Sequence, residues 1–131
     1  MKASEYIKKG ISNKKDFSIK FEHTTSHIGS GSVHVLATPA MIAYMEITAS
    51  HLLREYLPEG FSSVGTTVNI SHLAPTNQGS NVTVKAEVHS VDGNAVEFKV
   101  SVREGDKLVG DGFHGRHVID NARFLKRLNK D

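Results

Sequence analysis

The sequence predicts an α+β domain in which one antiparallel sheet is covered by a single long helix. The segment at 39–56 is apolar around most of its circumference, which is typical of a central helix rather than a surface helix. Between residues 64 and 119, four runs alternate apolar with polar residues and are separated by short turns, which indicates hairpin-connected strands. Another alternating run precedes the helix, so the predicted sheet has five strands.

The first predicted strand lies before the helix, where apolar and polar side chains alternate from Phe17 to His23. Residues 1–15 are expected to form an irregular or short helical lead-in. A flexible Ser/Thr/Gly loop, TTSHIGSGS, and a short apolar run, VHVLA, follow the strand. Thr38 is expected to cap the long helix, because Pro39 is tolerated at a first helical position. The helix extends to about Tyr56 and is ended by the sequence PEG.

The four later strands follow in a meander. The first of them is predicted to place on one face Val64, Thr66, Val68, Ile70 and His72, and on the other Gly65, Thr67, Asn69, Ser71 and Leu73. The next two place inward Val82, Val84, Ala86 and Val88, and then, after an Asp-Gly-Asn turn, Val96, Phe98, Val100 and Val102. The last strand runs from Leu108 to about Ile119, and Asp120 caps a short helix. The helix at 39–56 is the only element apolar enough to cover the dry face.

Composition limits the class of protein. The 131 residues suit one domain, 1–131, and 38% hydrophobic with 23% charged residues is ordinary for a globular chain. No apolar run is long enough to span a membrane, and no hydrophobic region follows the basic N-terminus, so we expect a cytoplasmic protein without a membrane partner. The sequence contains no cysteine, which excludes disulfides and thiol catalysis.

The charge pattern gives no sign of a nucleic-acid partner. The formal net charge is +2, and the basic residues concentrate near the two ends of the chain. A nucleic-acid binder would show a basic stripe interleaved with aromatic residues. Solvated ends are therefore the preferred interpretation, although a small anionic ligand such as a nucleotide phosphate is compatible with the sequence.

One carboxylate within the apolar helix calls for an explanation. Glu46 is the only Asp, Glu, Lys or Arg between Val35 and Leu53, and burying a carboxylate without a partner costs several kcal/mol. Its neighbours one turn away are apolar or small, so either a narrow solvated strip runs along the helix through Glu46 and Ser50, or Glu46 has a function. The helix alone does not separate these alternatives.

His72 favours the functional interpretation. Strand alternation points it towards the core side, where the helix lies; a lone histidine there is usually a satisfied core residue. Together with a carboxylate, however, an imidazole can activate water or a hydroxyl group. Thr38 adds such a hydroxyl at the helix start, where its alternative role is a plain N-cap.

The other candidate residues give fewer indications. His114 lies on the last strand in phase with Arg116 and is a candidate pocket residue. The remaining histidines lack the spacing of metal ligands, so no metal site is expected. The GSGS segment lacks the lysine of a phosphate-binding loop and is interpreted as a flexible connection.

Four segments carry a resemblance to a known family: VLATPAMIAYME, EGFSSVGTTVNISHLAPT, VTVKAEVHSVDG and GDGFHGRHVI. In one register from about Phe17 to Phe124, the chain resembles the hotdog thioesterases related to fluoroacetyl-CoA thioesterase. Thr38 precedes Glu46 by 8 positions, Glu46 precedes His72 by 26, and Gly65 precedes His72 by 7, as in that family.

The resemblance implies a hotdog fold, an antiparallel five-stranded sheet wrapped around a long central helix. It implies that Thr38, Glu46 and His72 form the catalytic set, that Gly65 lies at the thioester carbonyl and that Arg116 lies near the site. It also implies a homodimer or higher oligomer with acyl-CoA between protomers, which suits a sheet with free edges. No cofactor is expected, because coenzyme A is part of the substrate.

The loop before the helix departs from the family pattern. In the fluoroacetyl-specific enzyme, bulky aromatic residues there close over the acyl group, whereas this loop reads TTSHIGSGSV. The expected substrate is therefore a different or broader short acyl-CoA, hydrolysed to free acid and CoA.

The implied mechanism makes His72, oriented by Glu46, the base that deprotonates water or Thr38. Backbone N–H groups of Gly65 or of the helix from Ala40 onward, since Pro39 has none, would hold the oxyanion. Two alternatives stay open. One is a hotdog hydratase or dehydratase acting on acyl-CoA or acyl-carrier protein, and the other is a non-catalytic acyl-CoA-binding protein.

Overall fold

Five antiparallel strands form one sheet in a computed structural model that describes residues 2–130. The strands are β1 (Ser12–Ser18), β2 (Phe61–His72), β3 (Asn81–Asp92), β4 (Ala95–Glu104) and β5 (Lys107–Asp120). Their order in the sheet is β1-β3-β4-β5-β2, so β1 and β2 are the edges. The helices are α1 (Thr25–Ile28), α2 (Thr38–Tyr56) and α3 (Asn121–Leu128), with 3₁₀ turns at Ala3–Glu5 and Phe21–His23.

Helix α2 covers one face of the sheet, as predicted, and most of the core lies between them. The buried residues of α2 include Met41, Met45, Leu52 and Leu53, and they pack against the inward side chains of β3 and β4. The largest of the fully buried side chains is Phe98, on β4. Within residues 2–130, no helix combines the length and apolar character that a membrane span requires.

The predicted inward residues of β3 and β4 are confirmed: each of the eight is buried. The Asp-Gly-Asn turn lies where it was predicted, since Asp92 pairs with Ala95. A second tight turn joins β4 to β5, since Glu104 pairs with Lys107. Asp120 caps α3, accepting a hydrogen bond from the Arg123 backbone N–H at 3.2 Å. Strict alternation and turn chemistry together were sufficient for this half of the chain.

The first strand was predicted in the wrong place. We expected it at Phe17–His23, but β1 ends at Ser18 and Phe21–His23 forms a 3₁₀ turn. β1 instead begins within the expected irregular lead-in of residues 1–15, of which only Ala3–Glu5 is helical. The reason is that inward positions of this edge strand hold polar residues: Asn13, for example, donates from Nδ2 to the Thr48 carbonyl at 3.0 Å. A strand of this kind shows no apolar alternation.

A β-bulge in β2 corrects the predicted faces of that strand. Gly65 pairs with Arg116 and Thr67 pairs with Gly115, so the residue between them on β2 has no paired residue on β5. Directly opposed residues share a face, and Arg116 lies on the buried, helix-covered face. Gly65 therefore shares that face with Ile70 and His72, while Val64 lies on the outer face, contrary to the prediction. An alternation pattern contains no signal for a bulge.

The loop before α2 is more ordered in its hydrogen bonding than predicted. It contains α1, which ends at Gly29 in the left-handed conformation (φ 91°). A bridge between Thr24 and Leu36 closes the loop, and Thr25 Oγ1 donates to the Val33 carbonyl at 2.6 Å. The Ser/Thr/Gly connection therefore contains a short helix that was not predicted, and the hydroxyl groups of Thr24 and Thr25 donate to backbone carbonyls; its flexibility stays a prediction.

Candidate active site

Thr38 and His72 meet where α2 begins and β2 ends. Thr38 is the first residue of α2 and Ala37 occupies the cap position, so the prediction that Thr38 caps the helix is wrong by one residue. Its hydroxyl Oγ1 instead lies 2.8 Å from His72 Nδ1. The other ring nitrogen, Nε2, is buried and has no hydrogen-bond partner among residues 2–130. The threonine hydroxyl is exposed, so a ligand can reach this pair.

Burial lowers the pKa of His72, and the nearby backbone of Ala74 opposes the shift. The imidazole is therefore neutral near pH 7. A neutral ring can accept the proton of the Thr38 hydroxyl through Nδ1, which is the requirement for a general base.

Ala40 lies one helical position after Pro39 at the same end of α2. The first helical N–H to bond a carbonyl is that of Met41, which donates to Ala37 at 3.0 Å. No carbonyl in the described part of the chain accepts from the Ala40 N–H. Unpaired N–H groups of a helix start are suited to an anion or an oxyanion, and the predicted donor role of Ala40 is compatible with this position.

Glu46 lies elsewhere, beside Arg116. Glu46 Oε2 is 3.7 Å from Arg116 Nη1, and the carboxylate side chain is 42% exposed while the arginine is 8% exposed. The guanidinium is held by Ser63, to which it donates from Nε to Oγ at 2.8 Å and from Nη2 to the carbonyl at 3.0 Å. Its Nη1 also lies 3.1 Å from His114 Nε2. Arg116 is thus anchored on one side and faces Glu46 on the other.

His114 lies behind Arg116, and its partners determine its tautomer. Nδ1 lies 2.8 Å from the Thr67 carbonyl, which can only accept, so Nδ1 carries the proton. Nε2 then accepts from Arg116. Burial is the largest cause that lowers the pKa of His114, and the charge of Arg116 adds to it, so the ring is neutral as this arrangement requires. Burial also lowers the pKa of Arg116, and Glu46 opposes that shift.

Gly65 fits this cluster because it has no side chain. A Cβ atom at this position would lie 2.8 Å from Glu46 Oε2, 3.4 Å from His114 Cε1 and 3.6 Å from Arg116 Nη1. The bulge that follows Gly65 gives it this inward orientation. The predicted position of Gly65 near the site is therefore explained by backbone geometry, with the glycine next to the carboxylate.

The predicted residues form two half-sites within this chain. Thr38 and His72 form the first; Glu46, Gly65, His114 and Arg116 form the second. Within residues 2–130, no hydrogen bond or ion pair joins Glu46 to His72. Thr38 and Glu46 are 8 positions apart, which is about 12 Å along a helix axis. An open cleft of about 350 Å³ adjoins the second half-site.

Sequence reasoning missed the residues that support the site. Ser63 anchors Arg116 through both its side chain and its carbonyl, and the Thr67 carbonyl sets the His114 tautomer. A serine on an exposed-looking strand carries no distinguishing sequence signal. Direct ligand contact by His114, which is 1% exposed, stays a prediction.

Comparison with known proteins adds to the geometry. A family model described as fluoroacetyl-CoA-specific thioesterase matches residues 19–122. A fluoroacetyl-CoA thioesterase from Streptantibioticus cattleyicolor is 38% identical over 96 residues, which make up 73% of this chain and 69% of that protein.

Two solved structures show the same architecture. A structure of the fluoroacetyl-CoA thioesterase has a TM-score of 0.86 with 30% identity, covering 95% of this chain and 97% of the other. A hot-dog-like protein from Thermanaerovibrio acidaminovorans has a TM-score of 0.90 with 26% identity, covering 99% and 96% of the two chains. The chain is thus a hotdog-fold thioester hydrolase that belongs to the fluoroacetyl-CoA-specific thioesterase family.

Proposed function

We propose that this chain hydrolyses short acyl-CoA thioesters to the free acid and CoA, and that Thr38, Glu46 and His72 are its catalytic residues. The observation that carries the proposal is the 2.8 Å contact between Thr38 Oγ1 and a histidine whose pKa is lowered by burial. A neutral imidazole within hydrogen-bond distance of an exposed hydroxyl is the arrangement of a nucleophile and its base.

His72 accepts the proton of the Thr38 hydroxyl, or of a water molecule held by that hydroxyl, as the thioester carbonyl is attacked. The developing oxyanion is stabilised by backbone N–H groups, for which the start of α2 at Ala40 and the strand at Gly65 are the candidates. Its collapse breaks the C–S bond, and the departing CoA sulfur takes the proton held by His72; after attack by Thr38, water then hydrolyses the acyl ester on that residue. Mass spectrometry after rapid quenching distinguishes the two routes, because only attack by Thr38 leaves an acyl group on that residue.

We further propose that a homodimer completes the site. In a twofold dimer each contact occurs twice, so the Thr38–His72 half-site of one protomer can meet the Glu46–Arg116 half-site of its partner. Edge strand β2 supports this, because Val68 and Leu73 on it or directly after it are 46% and 55% exposed. Nδ1 contacts Thr38 and Nε2 is buried, so Glu46 would act across the interface through its negative charge, which stabilises the protonated imidazole.

The loop before α2 supports a substrate range that is broader than fluoroacetyl-CoA. Gly29 to Ser32 place no aromatic ring at its tip. The aromatic cluster nearest in the chain consists of Phe21 with His27 and His34, whose ring centroids lie 5.3 and 5.8 Å from that of Phe21. An open tip leaves room for acyl groups larger than two carbons.

The test is release of CoA thiol from a panel of acyl-CoAs that differ in chain length. Wild type should release thiol from several short acyl-CoAs, and Glu46→Gln and His72→Ala should each lower kcat by about 10²-fold or more. Lys99→Ala, on the outer face of the sheet, is the control. Unchanged rates in both site variants would refute the assignment; enoyl interconversion without thiol release would instead indicate a hydratase.

Subunit complementation tests the dimeric site. If the halves meet across the interface, mixing Glu46→Gln with His72→Ala forms heterodimers that carry one intact and one doubly altered site. Statistical mixing then restores about a quarter of wild-type activity. No recovery from a mixture that sedimentation shows to be dimeric would place the site within one protomer.

A further inference from the structure

The cleft beside Glu46 continues along the open face of α2. Glu46 and Arg116 line one end, and His51 and Arg54 line the other. Glu46, Ser50 and Arg54 follow at four-residue spacing, so they lie on one side of the helix. Arg54 is therefore about 12 Å along the axis from Glu46, in the same continuous depression.

Positive charge is in excess at the Arg54 end. Among residues 2–130, no carboxylate lies within ion-pair distance of Arg54 or of Lys15, which approaches from β1. Burial first, then the charges of Lys15 and Arg54, lower the pKa of His51, while Glu55 opposes the shift. His51 is therefore neutral, and Glu55 is the one acidic group beside it. At the opposite end the Glu46 carboxylate already faces Arg116.

We propose that Arg54, assisted by Lys15, binds the phosphate groups of the CoA portion of the substrate. The proposal rests on the proposed thioesterase function, which places the thioester near Glu46. CoA carries its thioester on a long flexible arm that ends in phosphates, and this cleft leads from the carboxylate to the unpaired arginine. Arginine is suited to phosphate because its planar guanidinium donates two parallel hydrogen bonds.

The side chains between the two ends suit the arm. Ala43 and Ile47 line the cleft, and Ile47 is 40% exposed although it is a large apolar residue. The arm's methyl and methylene groups can cover this surface, while Ser50 offers a hydroxyl to one of its amides. The cleft thus changes from the Glu46–Arg116 ion pair to apolar side chains and then to unpaired positive charge, in the order in which CoA presents its groups from the thioester outward.

A second cavity provides a rival site and a matched control. It has a volume of about 530 Å³ and lies under α3, where Arg123, Phe124 and Arg127 face Val64 and His117. Val64 and His117 point to the outer face of the sheet, whereas their neighbours Gly65 and Arg116 point to the face that α2 covers. An arm extending from Glu46 would have to pass around edge strand β2 to reach this cavity, whereas Arg54 lies in the same cleft as Glu46, so we assign the phosphates to Arg54.

The experiment compares acyl-CoA with the same acyl group on pantetheine, which lacks phosphates. Wild type should prefer the CoA ester in kcat/KM, and Arg54→Gln should reduce that preference about tenfold through KM, the size of one lost charged hydrogen bond. Lys15→Gln should reduce it less. Arg127→Gln, another exposed arginine near the end of a helix, should leave the preference unchanged. Raising the salt concentration should shrink the wild-type preference, because salt screens exposed charges.

Each outcome decides one proposal. Equal kcat/KM for both esters in wild type would overturn the phosphate subsite and leave the thioesterase intact. A loss of preference in Arg127→Gln rather than in Arg54→Gln would move the phosphates to the cavity under α3. If neither ester is hydrolysed, the proposed function fails, and calorimetry with CoA still tests the subsite: Arg54→Gln must then weaken Kd about tenfold relative to Arg127→Gln. A thermal melt controls for the lost helix-end charge, which affects stability but not the ester preference.

Discussion

Replacing Gly65 by alanine tests whether the exact space beside Glu46 matters. The added Cβ would lie 2.8 Å from Glu46 Oε2, where ordinary van der Waals contact begins at 3.4 Å. The carboxylate must therefore retreat by about 0.6 Å, and the two other near atoms, on His114 and Arg116, already lie at contact distance. The glutamate can move because its side chain is 42% exposed.

The expected effect on stability is small. Glu46 is 42% exposed although Arg116 is only 8% exposed, so solvent screens their 3.7 Å ion pair and weakening it should cost about 1 kcal/mol or less. Replacing glycine within a strand gains about 0.5–1 kcal/mol, because alanine loses less conformational freedom on folding. The two terms offset each other, and Tm should change by less than about 5 °C.

The expected effect on catalysis is large, because catalytic groups must be held to within a fraction of an ångström. Thioesterase kcat should fall about 10- to 100-fold in Gly65→Ala, measured as CoA-thiol release. Asn69→Ala, an exposed change on the same strand, is the control for both measurements. In a Glu46→Gln background the alanine should cause little further loss, since both changes act through one side chain. Wild-type activity in Gly65→Ala, or full additivity of the two changes, would refute the reasoning.

Three further predictions concern pH and packing. In a pH profile of kcat, the midpoint of the fall on the acid side should lie below about pH 6.5, because burial lowers the pKa of His72 and the reaction needs the neutral imidazole. A midpoint at higher pH would contradict this. The free energy of unfolding should fall as pH drops below about 6.5, because histidine in the unfolded chain then binds protons that buried His114 does not. The expected loss is at most about 1.4 kcal/mol per pH unit. Urea titration at pH 5 and 7 measures it, and the loss should be smaller in His114→Gln. Phe98→Ala should cost about 3–5 kcal/mol by the same titration, whereas Phe113→Ala on the outer face should cost much less, and equal costs would contradict the assigned core.

The sequence by itself determined the architecture wherever burial follows a period. Helix α2 and strands β3, β4 and β5 lie where their patterns predicted. A sheet buried on one face and the helix that covers it require apolar residues at regular spacings, and these spacings can be read from the sequence. β1 has no such pattern, since polar residues such as Asn13, which donates from Nδ2 to the backbone of α2, occupy inward positions. Element prediction failed where hydrogen bonds replaced apolar contacts.

The candidate site divides in the same way. Residue type and inward phase, together with a spacing that resembles the family pattern, singled out Thr38, Glu46 and His72, and the structure brings two of them, Thr38 and His72, into contact. Only the tertiary structure decided which groups pair. In the structure Glu46 forms an ion pair with Arg116, and Arg116 is held by hydrogen bonds to Ser63 and to Nε2 of His114. The alternation of apolar and polar residues likewise gives no sign of the bulge in β2 that turns Gly65 towards Glu46. Pairing depends on distances between residues far apart in the chain, and a sequence pattern records which way a side chain faces but not what it meets.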